Sequence, residues 1–493
     1  MEVAHVVETA REREDKYDVD LEFVLPSFDG VLPHRGAAED RVVRLRSVYY
    51  DTATLALLDR GITLRRREGD VDNGWQLKVP GIDDRTEISV PLTESDTVPA
   101  ELAELVSGIA RGLTLTPVVD MRTQRRVLRT VDDAGALVVE VADDMVDSTR
   151  LGTTKRSERS WREVEVELGT ATEDDASGIG ECLIAAGAKP AGRVTKLERA
   201  LNLAPMRENT HRGKRTAKEI IAEYVAAQAD AIFAGDVALR RGLAPIHDTR
   251  VATRRLRSIL RTFDPLFDGA QAGRLADELR WYAAMLGEVR DRQVQRSRQL
   301  DAVRALPDEL VLGPVIARID HHLAGEEAEH LRVLREEMAG ERYLNLLETL
   351  ALWEHLPEFA SDFDDGERKV VRHCAERASR KARKRLRRAV AGKSDAVALH
   401  RARKAAKRAR YAAEAATPVL GERAAAALIQ RHKRVQRILG EHQDTVVSRT
   451  LIRRLASIAG TATGENGFTY GLLYEREQFA AQRAERKIVR RLK

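Results

Sequence analysis

Only two cysteines occur among 493 residues, Cys182 and Cys374, far apart and in no CxxC or Cys/His spacing. That excludes a disulfide framework and a zinc ligand set, and reads as free thiols in a reducing compartment. Aromatic residues make up 4% of the chain, too few for the stacking platforms that usually recognise single-stranded nucleic acid, so nucleic acid is disfavoured as a partner. No segment approaches about 18 consecutive apolar residues, and the opening MEVAHVVETAREREDKYD lacks the apolar core of a signal peptide, so a cytoplasmic protein with no membrane partner is expected. Net charge is also scarce, +5 although 33% of residues are charged, so the placement of charge carries the information.

What is present begins with length, which exceeds one ordinary core and predicts two or three domains. In the second half, HDTRVATRRLRSIL (His247 to Leu260) is matched by HRARKAAKRARYAA (His400 to Ala413). At 100° per residue His247, Arg250, Arg254, Arg257 and Arg261 form one stripe of a helix, backed by Ala252, Leu256, Ile259, Leu260 and Phe263. His400, Arg403, Lys407 and Arg410 repeat the stripe over an alanine backing. Downstream, LGEVRD (Leu286 to Asp291) answers LGEHQD (Leu439 to Asp444) at the same offset of 153 residues, without a gap, as a duplicated helical unit would. Glu288, Asp291, Glu441 and Asp444 are candidate acidic partners for the stripes.

The first two hundred residues have a different texture. Eight short segments are rich in Val, Leu, Thr and aromatics, several with period-two alternation: REREDKYDVDLEF, VVRLRSVYYD, GITLRRREG, GWQLKVPG, RTEISVPL, RTQRRVLRTV, ALVVEVADD and SWREVEVELG. Helix candidates interrupt them at Asp51 to Asp59, Ala100 to Ile109 and Glu173 to Ala186. Their polar faces are charged. Glu163, Glu165 and Glu167 share one face of a strand, Arg65 and Arg67 one face of another, and Glu12, Glu14 and Lys16 one face of the first. Strands that close around such faces enclose carboxylates, which bind hard divalent cations, and cations, which bind phosphate oxygens.

The ordered set Glu12-x-Glu14-x-Lys16, Arg65 and Arg67, Lys78, Arg85 with Glu87, and late acidic strands resembles the CYTH, or triphosphate tunnel metalloenzyme, family over about residues 8 to 203. The resemblance implies an eight-stranded antiparallel β-barrel tunnel that hydrolyses a triphosphate with Mg²⁺ or Mn²⁺. Glu12, Glu14, Glu165, Glu167 and Asp144 would hold the metal, with Glu163 competing on the same face and Asp143 the alternative to Asp144. Arg65, Arg67, Lys78, Arg85, Arg122, Arg125 and Lys196 would contact the triphosphate, RTQRRVLR leaving open which of Arg122, Arg125 and Arg126 face inward. Lys16 would orient or deprotonate the attacking water, the latter only with a depressed pKa.

The doubled motifs HxxRVxxRRLRxxL with LGxVRD and HxxRxxxKRxRYxxE with LGxHQD resemble the CHAD family from about 214 onward. That resemblance implies inorganic polyphosphate bound by His247, Arg250, Arg254, Arg257, His400, Arg403, Lys407 and Arg410, and a place at polyphosphate granules. The expected architecture is therefore an α+β multidomain chain: a tunnel domain (1–203), a linker (204–213) and a helical domain (214–493). The helical domain would be two pseudo-symmetric four-helix bundles, about 214–340 and 365–493. Inorganic triphosphate is the expected substrate. The rivals are a degenerate tunnel that only binds, a nucleotide or thiamine triphosphatase, and a class IV adenylate cyclase.

Overall fold

The computed structural model describes residues 13–28, 31, 38–69, 73–81, 85–152, 157–192, 194–203, 215–355, 357, 359–360, 366–391 and 396–492. The chain divides into two compact units, Met1–Thr210 and His211–Lys493.

The first unit is built on one antiparallel sheet. Its strands are β1 (Arg13–Val19), β2 (Ala38–Asp51), β3 (Thr63–Glu68), β4 (Gly74–Pro80), β5 (Arg85–Val90), β6 (Thr116–Val131), β7 (Leu137–Arg150), β8 (Ser157–Leu168) and β9 (Lys189–Pro190). They lie in the order β5-β4-β3-β2-β6-β7-β8-β1-β9. Its helices are α1 (Ala100–Leu105), α2 (Ser107–Ala110), α3 (Glu173–Ala185) and α4 (Lys196–Leu201).

Eight strands were expected and nine are present, because the two residues of β9 pair with Tyr17 and Asp18 at the edge of β1. The hydrogen-bonded ladder is not closed into a barrel among the described residues, since β5 and β9 remain its two edges. Two helix expectations also changed. Asp51 accepts backbone N–H groups of Thr52, Leu57 and Leu58 at 2.6, 2.9 and 3.0 Å, which turns the chain after β2 into a loop with a short 3₁₀ turn at Leu58–Arg60. The helix expected from Ala100 breaks at Val106, between α1 and α2.

Alternation explains how the sheet positions charge. In β8, Val164 and Val166 are fully buried against Ile179 and Leu183 of α3, together with Val139 and Val141 of β7. Each such side chain contributes about 1.5–3 kcal/mol of burial. The intervening residues Glu163, Glu165 and Glu167 must then point to the opposite face. The hydrophobic layer thus lies between sheet and helix, and the other face of the sheet is left to the charges.

The second unit is helical: α5 (Ala217–Arg240), α6 (Ile246–Thr262), α7 (Gly269–Arg304), α8 (Val315–Met338), α9 (Glu341–His355), α10 (Glu367–Ala391), α11 (Ala396–Ala415), α12 (Thr417–Leu420), α13 (Glu422–Ala459) and α14 (Phe468–Leu492). The duplication governs this layout. α7 and α13 begin at Gly269 and Glu422, and α8 and α14 at Val315 and Phe468, each pair keeping the offset of the two stripes. α9 is an additional helix between the copies and packs on α5. The stripe helices α6 and α11 pack against each other, each on the long helix of its own copy, α7 or α13. Ser448 donates to Gln295 at 2.8 Å across 153 positions, so duplicated positions meet and an internal two-fold axis runs between them. Among the described residues no helix is long and apolar enough to cross a membrane.

Candidate functional site

Side chains from β1 to β8 and from α4 line one cavity of about 450 Å³ in the first unit. That so many strands share one cavity shows the sheet curling around it, although its edges do not pair. Glu14 and Lys16 enter from β1, Arg65 and Arg67 from β3, Lys78 from β4, Arg125 from β6, Glu165 and Glu167 from β8, and Lys196 from α4. Parity decides the open choice in β6. Arg125, Val127 and Arg129 line the cavity, while Arg122 lies on the opposite face, exposed, and Arg126 pairs there with Asp40 at 2.8 Å. Glu12 and the side chain of Arg85 lie outside the described residues.

The carboxylates converge where β1, β7 and β8 adjoin, with Glu14 opposite Glu167 and Lys16 opposite Glu165 in register. Asp144, Glu163 and Glu165 bring oxygens within 4.8 Å of one another in a buried group. Lys196 sits against all three, at 2.9, 2.9 and 2.5 Å. Its position follows from a capping box, in which Thr195 accepts the N–H of Glu198 and fixes the first turn of α4. Arg125 grips Asp144 through two N–H groups at 2.7 and 2.6 Å and reaches Glu165 at 2.9 Å.

Burial alone would raise the pKa of Glu165, but Lys196, Lys16 and Arg125 together hold it well below the usual carboxylate range. Asp144 is likewise lowered, burial being outweighed by Lys196 and Arg125. Glu14 is different: burial and the neighbouring Glu165 push it up to about 7. It is the carboxylate for which the protein supplies too little positive charge. An all-oxygen donor set with a surplus carboxylate fits a hard divalent cation such as Mg²⁺ or Mn²⁺. Lys16 pairs with Glu165 at 2.7 Å and Glu14 at 3.1 Å. Burial pulls its pKa down, yet Glu165 and Glu14 leave it raised, the reverse of what a lysine base requires.

Across the cavity the wall is cationic. Arg65 donates to Gln76 at 2.7 Å and reaches the Tyr49 hydroxyl at 3.5 Å, and Lys78 pairs with Glu87 at 3.0 Å. Arg41 and Arg129 complete the wall. Neither stood out in the sequence. Arg129 shares parity with Arg125, and Arg41 is registered opposite Val127, so strand register was the signal that locates both.

In the second unit the two stripes meet at the axis. Lys407 is surrounded by Arg254, Arg403, Arg250 and Arg410, and burial together with these cations lowers its pKa to about 6. Arg254, mainly through burial, is lowered as well. The duplicated glycines make room for the stripes: a Cβ on Gly287 would stand 2.9 Å from Arg250 Nη2, and one on Gly440 would stand 3.7 Å from Arg403. Asp291 approaches Arg250 at 3.7 Å, and Asp444, lodged among Arg403, Arg298 and Lys407, has its pKa raised by burial. Glu288 and Glu441 turn away, to Arg292 at 2.5 Å and Lys487 at 3.6 Å. His400 Nδ1 meets Gln443 at 2.9 Å, whereas His247 is exposed on the first turn of α6. Arg257 faces another cationic group, Arg261, Arg280 and Arg408.

A curled sheet whose cavity is lined by both carboxylates and cations is followed by a duplicated helical unit with paired basic stripes. Residues 11–198 match the CYTH domain and residues 223–453 match the CHAD domain. The chain belongs to the family in which a CYTH domain, the triphosphate-tunnel type, is followed by a CHAD domain. Uncharacterized proteins of two Mycobacterium tuberculosis strains are 34% identical over 497 residues, covering 97% of this chain and 94% of theirs. Among solved structures, PptA from Streptomyces chartreusis is similar at 20% identity and a TM-score of 0.44, over 55% of this chain and 98% of that one. A putative adenylate cyclase from Bacillus halodurans is similar at 19% identity and a TM-score of 0.29, over 39% and 97%. A putative adenylyl cyclase from Hippeastrum, described as having a dominant triphosphatase activity, is similar at 17% identity and a TM-score of 0.22, over 40% and 99%.

Proposed function

We propose that the first unit hydrolyses inorganic triphosphate with the help of a divalent cation and that the second binds inorganic polyphosphate. The observation that carries the first part is that Glu14, Glu165 and Glu167 line the same cavity as Arg65, Arg67 and Lys78. Glu14 and Glu165, with Glu167 beside them and Asp144 and Glu163 behind, would hold Mg²⁺ or Mn²⁺. When bound, that ion supplies neutralising charge to the phosphate chain.

The protein's own residues do the rest. Arg65, held by Gln76 and Tyr49, Lys78, held by Glu87, and Arg67, beside Ser47, bind phosphoryl oxygens and stabilise the charge that shifts among them during in-line displacement. Lys16 remains an ammonium, so it orients water or a phosphate oxygen rather than taking a proton. Arg125 and Lys196 hold Asp144, Glu163 and Glu165 in place and keep Asp144 and Glu165 ionised.

Inorganic triphosphate is favoured over a nucleotide because, among the described residues lining the cavity, Tyr49 is the one aromatic, and its hydroxyl is engaged toward Arg65. For the helical unit, the support is the gathering of Arg250, Arg254, Arg403 and Arg410 around Lys407, with the Nε atoms of Arg250 and Arg403 buried and without hydrogen-bond partners among the described residues. A polyanion relieves both the repulsion and the unmet donors. Assaying phosphate release from triphosphate, ATP and thiamine triphosphate, with cyclic AMP followed in parallel, tests the first part. Release confined to the nucleotide, or cyclic AMP formation, would refute the substrate assignment, and binding without turnover would refute catalysis.

A further inference from the structure

The internal two-fold axis relates two corners at which α6 and α11 meet the first helix of a copy, α10 at one corner and α5 at the other. At the α5 corner stand Arg410 and Glu414 of α11 and Arg255 of α6. At the α10 corner stand their duplicated counterparts, Arg257, Arg261 and Arg408, at the same offset of 153. One position of the three changes sign, Glu414 against Arg261.

The consequence is visible in the contacts. Glu414 binds Arg410 at 3.2 Å and Arg255 at 3.4 Å, and both guanidinium groups lie against the ring of Tyr411, at 4.8 and 5.7 Å. That corner is partly compensated and occupied by its own side chains. At the other corner Arg261 and Arg408 are joined by Lys381 and Arg385 of α10. None of these four has an ion pair among the described residues, and Arg261 and Lys381 are exposed. The nearby carboxylates are already engaged, Asp264 with Arg377 at 3.6 Å and Asp277 with Arg280 at 3.5 Å.

We infer that the basic surface is one-sided: a phosphate chain held at the central stripes leaves over the α10 corner, contacting Arg261, Arg408, Lys381 and Arg385, and is barred from the α5 corner by Glu414. This rests on the reading of the helical unit as a polyphosphate binder, and adds a path and a direction to it. Duplication alone would make the two ends equivalent. The exchange of arginine for glutamate, together with Lys381 and Arg385 on α10, breaks that equivalence, because like charges gathered without counter-charge are stabilised by a polyanion more than a partly compensated cluster is.

The test is equilibrium binding of long-chain inorganic polyphosphate to the full chain in metal-free buffer, across a salt series, with four variants. Arg261→Glu should weaken binding at least tenfold and lower the salt slope by about one contact. Arg335→Glu, an exposed cation on α8, should change little and reports the effect of net charge alone. Glu414→Gln, which frees Arg255 and Arg410, should tighten binding. Arg254→Ala, at the centre, should weaken it. If Arg261→Glu behaves like Arg335→Glu while Arg254→Ala is impaired, or if Glu414→Gln weakens binding, the one-sided path is refuted and the central site stands. If the unaltered protein does not bind polyphosphate, the underlying reading falls and the path with it.

Discussion

Lys407 offers the sharpest electrostatic prediction in the helical unit. Its ammonium is buried among Arg254, Arg403, Arg250 and Arg410, and its pKa stands at about 6. At pH 7 the free protein therefore holds it mostly neutral, whereas the unfolded chain, with an ordinary lysine pKa near 10.5, holds it charged. The folded pKa is depressed, so the unfolded state binds the extra proton, and this site's contribution to stability rises with pH between about 6 and 10.5. The cost at pH 7 is at most on the order of 5 kcal/mol, and less where water reaches the group. Lys407→Met removes it and should raise the melting temperature at pH 7 by several degrees.

Binding a polyanion should restore the proton. Calorimetry at pH 7.5 in buffers of different ionisation enthalpy should show uptake of up to one proton per chain bound by the unaltered protein. Affinity should strengthen up to about tenfold per pH unit as pH falls from 8 toward 6 and flatten below that. His400, lowered by burial and by Lys404, adds a smaller component in the same direction. In Lys407→Met the uptake should fall to that remainder. Equal proton uptake in the two proteins, or none in either, refutes the coupling.

Other outcomes follow from the same geometry. Glu14, raised to about 7, must lose its proton to hold a cation, so affinity for Mg²⁺ or Mn²⁺ should rise with pH up to about 7 and then level off. Glu14→Gln should erase that dependence in a calorimetric titration. Arg65→Ala or Lys78→Met should lower triphosphate turnover by about 10²–10³-fold, with the fold intact by circular dichroism. Gly287→Ala places a methyl 2.9 Å from Arg250 Nη2 and should weaken polyphosphate binding severalfold, while Gly440→Ala, at 3.7 Å from Arg403, should leave it nearly unchanged.

Much of this organisation could be read from the chain, and the exceptions have physical causes. VEVEV in β8 separates an apolar from an acidic face without any knowledge of its neighbours, because parity is local. The 153-residue offset likewise locates the stripes and the paired LGEVRD and LGEHQD motifs, and the structure extends it to the starts of α7 and α13 and of α8 and α14. By contrast, Arg125 and Arg122 are indistinguishable until the register of β6 against β7 opposes Arg125 to Asp144 and Arg122 to Asp147. Arg129 and Arg41 belong to the cavity only because two distant strands pair. Glu163 shares the face of Glu165 by parity, but only the register of β7 against β8 sets it opposite Asp144, and only Lys196 on α4 contacts all three. The turn after β2 resembled a helix, since hydrogen bonds from Thr52, Leu57 and Leu58 to Asp51 are not encoded by apolar spacing.

The central claim is that opposed carboxylates and cations in one cavity hydrolyse triphosphate. Phosphate release from inorganic triphosphate, measured on the full chain with and without Mg²⁺ or Mn²⁺, tests it most directly, with Glu14→Gln and Glu165→Gln alongside. The account predicts metal-dependent release by the unaltered protein and at least a hundredfold loss in both variants. No release with either metal, or undiminished release by the two variants, would contradict it.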